Sequence, residues 1–326
     1  MQDFPHRLAG HCGSGAFRDL LELHGLSWDS RPLSEGMVFG LSGGLGCFFF
    51  ELPEMEPPIY LVGRTAELEQ GVCDHLGIDL DLRRTEDPDE AWRWLREEVD
   101  AGRPTMVNAD ILELDYLNVK LSNTLHDIVV VGYDEEAGVA LVADNDREEI
   151  QRCSLASLAR ARGSQGFPGP SGHATWVMRF PERLPDPRAA VERALRRAAA
   201  NMRAGGLDHV ERLRASYAEW PERLGDRLES ALKGLRVFIV KAGTGGAMFR
   251  SLQAQFLHEA AALLDDEAVA AAAATYDELA GEWVALAEAA REGDHRAGLP
   301  HLEAVARLEA AGVEAMERCV TAAAQA

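Results

Sequence analysis

Near Pro185 the character of the chain changes, and that change limits the architectures open to it. Downstream, as far as Ala326, Ala, Glu, Arg and Leu recur at helical spacing, and the longest strand-like run is Val237-Val240. Upstream, short helical patterns alternate with β-branched and aromatic runs bounded by Gly and Pro. The sequence therefore predicts an α+β fold class: an N-terminal domain over 1–182 with an antiparallel sheet, and an all-α domain over 183–326. A length of 326 residues agrees with two domains, at roughly 100–200 residues each.

Within the first half, Phe17, Leu20, Leu21 and His24 predict a helix over 13–24 that stops at Gly25. Residues 36–50 read as a Gly-rich apolar stretch ending in the strand-like Cys47-Phe48-Phe49-Phe50. A helix over about 88–101 has Thr85 as its candidate cap and Pro88 in its first turn. The runs 126–133 and 139–143 flank Asp134-Glu135-Glu136-Ala137-Gly138, the pattern of a β-hairpin. In the second half, helices are predicted near 187–204, 207–219, 222–238, 247–264, 267–291 and 300–324.

Composition narrows the function. The formal charge is −21, Lys occurs only at 120, 233 and 241, and no basic run exists, which argues against nucleic acid and anionic lipid as partners. No stretch of about 18 apolar residues suggests a membrane span. The opening Met1-Gln2-Asp3-Phe4-Pro5-His6 has no signal-peptide pattern, so a cytoplasmic location is expected. The five cysteines at 12, 47, 73, 153 and 319 include no CxxC pair, so neither a metal site nor a disulfide framework is expected. Homo-oligomerisation is compatible with such a chain.

Cys12 is the residue with chemical promise. It sits in Gly10-His11-Cys12-Gly13-Ser14-Gly15, where a helix begins. A helix N-terminus favours the thiolate, and small neighbours leave backbone N–H groups free to hold an oxyanion. A cysteine nucleophile needs a base, and His126 at the mouth of an apolar strand is the best placed. If Tyr133 pairs with Val139, paired numbers sum to about 272. Residue 146 then faces His126 and 144 is its diagonal neighbour, while Asn145 points away. Asp144 or Asp146 can orient the imidazole, with Asp144 preferred because it ends the apolar strand 139–143.

These residues also carry a resemblance. The N-terminal half, over about 10–180, resembles the butirosin-biosynthesis protein H N-terminal family. The shared stretches are His11-Cys12-Gly13-Ser14, Leu33 to Gly40, and His126 to Asp134 followed by Asp144. The second half is similar to the helical domain found behind that family, through Gly243 to Arg250 and Phe256 to Ala260. The resemblance implies a papain-like fold and a cysteine acyltransferase. Such an enzyme takes an acyl group from an acyl carrier protein or small acyl thioester and passes it to an amine, forming an amide. It implies Cys12 as nucleophile, His126 as base and Asp144 as orienting acid. No cofactor is implied beyond a donor carried on phosphopantetheine.

Two departures bear on the substrate. Papain-like enzymes place a Gln about six residues before the nucleophile; here His6 stands there and Gln2 lies further off, which leaves His11, His6 or backbone N–H groups for the oxyanion. The segment Asp115-Tyr116-Leu117-Asn118 replaces a Tyr-Leu-Pro-Tyr-like one, so Tyr116 becomes a candidate contact in the acceptor pocket. Arg250 can pair with a substrate carboxylate or with an acidic group on a neighbouring helix. The Gly243–Gly246 loop reads as a tight connection, with phosphate binding as its alternative. Hydrolysis by the same residues, as in a cysteine amidase or peptidase, and a non-catalytic binding protein are the rival functions.

Overall fold

The computed structural model describes residues 4–242 and 244–323. In chain order the elements begin with α1 (Cys12–Leu23), α2 (Glu35–Ser42), β1 (Leu45–Glu51), β2 (Ile59–Arg64) and α3 (Leu68–Leu76). There follow β3 (Asp79–Arg83), α4 (Pro88–Asp100), β4 (Thr105–Ala109), β5 (His126–Asp134), β6 (Val139–Ala143), β7 (Gln151–Ser154), α5 (Leu155–Gly163) and β8 (Thr175–Arg179). The remainder is helical: α6 (Pro187–Asn201), α7 (Leu207–Leu224), α8 (Leu228–Val240), α9 (Arg250–Leu264), α10 (Glu267–Arg291) and α11 (His295–Ala323). The fold is α+β, with an antiparallel sheet in the N-terminal region and helices after it.

Two compact units result, each built from two stretches of chain. One comprises residues 1–33 and 77–184, the other 34–76 and 185–326. The change of composition at Pro185 thus marks the last crossing between units. Residues 34–76, which the sequence reading placed in the N-terminal half, cluster with the C-terminal helices.

The first unit is organised by a six-stranded antiparallel sheet in the order β3-β8-β4-β5-β6-β7. Val107, Ala109, Ile128, Val130, Ala140 and Val142 alternate onto one face and pack with Leu95 of α4 and Leu158 of α5. α1 lies against β5. α4 starts as expected at Pro88, but Asp87 is its cap: the carboxylate accepts from the N–H of Asp89 and Glu90, while Thr85 turns its hydroxyl to Glu90.

In the second unit, the Gly-rich stretch contains a helix. Ser34 caps α2 by accepting from Met37 N–H at 2.9 Å, and Gly43 ends it at φ +62°. A Cβ on Gly40 would come within 1.9 Å of the Phe256 ring, so this glycine is what lets α2 lie against α9. Two-stranded β1-β2 completes the segment. Among the described residues no helix is long and apolar enough to cross a membrane.

Candidate active site

Cys12 is the first residue of α1. His11 precedes it in extended conformation and caps the helix, its Nδ1 accepting the Ser14 N–H at 3.2 Å. The sulfur therefore sits at the N-terminal end of a helix, where the helix dipole favours negative charge. Asn145 fixes this end of the helix beside the sheet. Its backbone carbonyl accepts from Ala9 N–H and its side-chain amide donates to Ala9 O, both at 3.0 Å.

His126 opens β5 and Asp144 directly follows β6. The Nε2 of His126 lies 3.0 Å from both oxygens of Asp144, so that nitrogen donates to the carboxylate. Nδ1 is then the nitrogen left for the Cys12 sulfur, with which the ring hydrogen-bonds. Asp144 is fully buried and accepts a second bond from the Tyr116 hydroxyl at 2.8 Å. Asp146, its rival, points its carboxylate to Arg147 at 2.8 Å and to solvent.

The electrostatics follow from these contacts. Burial pushes the Cys12 thiol up, but the adjoining rings of His11 and His126 overcome it and hold the sulfur well below the usual thiol range. For His126 burial acts downward, and Asp144 with Cys12 outweighs it, leaving the imidazole well above its ordinary value. Asp144 is itself held low, burial being overcome by His126 and Tyr116. Both shifts favour the imidazolium–thiolate form of the pair over the neutral one. The other cysteines show the contrast: burial first, with nearby carboxylates adding to it, drives Cys47, Cys73 and Cys153 up to about 12 and Cys319 to about 11.

Two side chains were not singled out from the sequence. Asp127, buried beside His126 in the chain, has Oδ2 3.9 Å from the Cys12 sulfur. Its Oδ1 accepts from Asn108 Nδ2 at 2.6 Å, across the β4–β5 ladder where the two residues are partners.

Other candidates fall elsewhere. Tyr116, expected at the acceptor pocket, directs its hydroxyl to Asp144. His6 uses both ring nitrogens, one toward Asp19 Oδ2 at 2.8 Å and one toward Arg147 O at 2.9 Å. Both partners are acceptors, so this ring is an imidazolium clip rather than an oxyanion donor; burial opposes the charge and Asp19 restores it, raising the pKa. Gln2 and Gly243 lie outside the described residues. Thr244 accepts from Phe249 N–H at 2.7 Å, closing the turn before α9. Arg250 belongs to the helical unit and is fully buried. Its Nε donates to Glu309 at 2.7 Å and its Nη1 to the carbonyls of Gly63 and Met248, so the acidic group on a neighbouring helix takes the guanidinium that was a candidate for substrate.

Comparison with known families agrees with this arrangement in extent. The family described as butirosin biosynthesis protein H, N-terminal, matches residues 11–145, from the cap of α1 to the residue after Asp144. A domain of unknown function, DUF4872, matches residues 156–323. No curated protein matches the chain. The family description suggests a biosynthetic enzyme. By its sequence, then, the chain carries a region of the butirosin biosynthesis protein H N-terminal family at residues 11–145, followed by a DUF4872 domain at residues 156–323.

Proposed function

We propose that the protein is a papain-like cysteine acyltransferase of specialised metabolism in the cytoplasm. It would move an acyl group from a thioester, carried on an acyl carrier protein or free, to an amine. The observation that carries this reading is geometric: Cys12 at the start of a helix beside His126, whose ring is held by the buried Asp144.

The pair suits both half-reactions. The thiolate attacks the thioester carbonyl, the donor C–S bond breaks, and the imidazolium gives its proton to the departing thiolate. Cys12 is left acylated and His126 neutral. An amine then attacks the same carbonyl, gives a proton to His126 and expels the Cys12 thiolate as the amide forms. Asp144 holds Nε2–H throughout, which keeps Nδ1 aimed at sulfur. His11, with Nδ1 engaged in the helix cap, carries its N–H on Nε2 and is suited, with the N–H groups of α1, to support the oxyanion.

A panel of acyl thioesters incubated with candidate amines tests the proposal. Amide that depends on Cys12 supports transfer. Free acid as the sole product at every amine concentration replaces it with hydrolysis, and no turnover with any donor argues for a binding role.

A further inference from the structure

The side chain of His6 is 5 % exposed, and each ring nitrogen meets an acceptor. Nδ1 lies 2.8 Å from Asp19 Oδ2, and Nε2 lies 2.9 Å from the backbone oxygen of Arg147. A carbonyl offers only lone pairs, and the Asp19 carboxylate is already paired through Oδ1 with the Arg18 Nε at 2.9 Å. Both contacts are therefore hydrogen bonds only while both ring nitrogens carry protons.

These contacts join two parts of the candidate site. Asp19 follows Cys12 by about two turns of α1, on the same helix face. Arg147 closes the turn after β6, its N–H donating to Asp144 O at 2.9 Å. A displaced Arg147 peptide therefore pulls on the backbone of Asp144. The other charged groups around the ring are engaged: Arg147 turns its guanidinium to Asp146 and to Tyr116 O, and Arg7 pairs with Glu22. Burial acts downward on the ring, and Asp19 with the Arg147 carbonyl outweighs it against the nearby Arg18. His6 thus gives up its proton above the ordinary histidine range, and His126, raised further, does so later. A neutral ring keeps its N–H toward the Asp19 charge, and bare Nε2 then faces the Arg147 oxygen, lone pair against lone pair.

We propose that the imidazolium of His6 is a positioning residue: it holds the turn that carries Asp144 against the helix that carries Cys12, and loss of its proton releases that turn and slows the nucleophile. This rests on Cys12 being activated by His126 and Asp144.

Two measurements on the full chain test it together. One is the rate of Cys12 alkylation by iodoacetamide across pH, read by intact mass. The other is the titration of the His6 ring, followed by NMR in protein labelled at histidine Cε1 and identified by the signal missing in His6→Gln. The wild-type rate should step down roughly fivefold, the worth of one hydrogen bond, at the midpoint of the His6 titration and above neutral pH. His6→Gln cannot titrate there, so its rate should lie at the lower level on both sides of that midpoint, with no step.

A wild-type rate that stays constant through the His6 midpoint, or a step that survives in His6→Gln, overturns the positioning role; fast alkylation that is flat through neutral pH then still leaves the nucleophile in place. A merely structural His6 would lower the stability of His6→Gln and leave its alkylation profile like that of wild type, which also overturns the proposal. Alkylation that climbs tenfold per pH unit, as for a free thiol, removes the nucleophile and this role with it. Should His6→Gln not fold, Asp19→Asn takes its place: the hold on the ring proton weakens, so the step should move to lower pH, and a step that does not move overturns the proposal.

Discussion

His126 Nε2 stands 3.0 Å from each carboxylate oxygen of Asp144. That bifurcated contact fixes which ring nitrogen meets the sulfur, and it supplies most of the upward pull on the imidazole. The pH behaviour of Cys12 follows. The ion pair exists above the lowered pKa of Cys12 and below the raised pKa of His126. Alkylation by iodoacetamide should therefore be flat through neutral pH, where an ordinary thiol gains about tenfold per pH unit as it ionises. In Asp144→Asn the negative charge that raises His126 is gone, so the basic end of the plateau should move to lower pH and acyl transfer should fall by roughly 10³-fold. A plateau unchanged in Asp144→Asn would mean that Asp144 does not set the imidazole.

Tyr116 is a positioning residue for Asp144. Burial, then the neighbouring carboxylate, keeps its phenol protonated far above the usual range, so it remains a donor at every working pH. Tyr116→Phe leaves Asp144 Oδ2 one hydrogen bond short in a buried site and should cost about 1–3 kcal/mol in denaturant melts. It should also lower the basic limb of the alkylation profile less than Asp144→Asn does. Loss of acceptor affinity with stability and the profile unchanged would return Tyr116 to the acceptor pocket.

Asn145 ties the segment before Cys12 to the end of β6 through paired bonds with Ala9. Asn145→Ala deletes only the side-chain bond. The expected result is a modest stability loss of about 1 kcal/mol and alkylation of Cys12 slowed several-fold, because the sulfur loses its register with His126. Hydrogen–deuterium exchange over residues 9–14 should rise in parallel.

Glu309 accepts from both Arg250 Nε at 2.7 Å and Trp283 Nε1 at 2.9 Å, with all of its side chain buried. Removing one charge strands the other. Glu309→Gln should destabilise the protein by about 3–5 kcal/mol, and Arg250→Met with Glu309→Leu should recover part of that loss. A substrate role for Arg250 would instead appear as a raised KM in Arg250→Lys without loss of stability.

Gly40→Ala tests the α2–α9 contact. Its new methyl overlaps Phe256, and overpacking of this kind costs about 1–3 kcal/mol. Gly40→Ala paired with Phe256→Leu should regain stability; a single variant that melts like wild type contradicts the contact.

Much of the site was legible because hairpin geometry is local. The expected pairing of Tyr133 with Val139 is off by one: Asp134 pairs with Val139 and Tyr133 with Ala140. A bulge between Val130 and Gly132 then takes up the extra residue, and Val129 pairs with Ala143, the expected sum of 272. Asp144 thus reaches His126 although the turn was misplaced. Helix α10 at 267–291 and the start of α4 at Pro88 were equally plain, since long apolar stripes and an N1 proline speak for themselves. Less visible was α2, because Gly36 and Gly40 lower helix propensity, and only Gln255 and Phe256, far along the chain, give them a reason to be glycine. The same distance hid the membership of residues 34–76 in the helical unit. Asp127 escaped notice because alternation along a strand sends neighbours to opposite faces, and nothing in that rule predicts that the sulfur lies within reach of both.

The central claim is that Cys12 carries the acyl group. Intact mass spectrometry of the protein mixed with an acyl thioester, without amine, measures it directly. The account predicts one added acyl mass, mapped by peptide sequencing to Cys12, removed on adding amine and missing in Cys12→Ala. An adduct on any other residue, or an unmodified protein with every thioester tried while Cys12→Ala behaves the same, contradicts it.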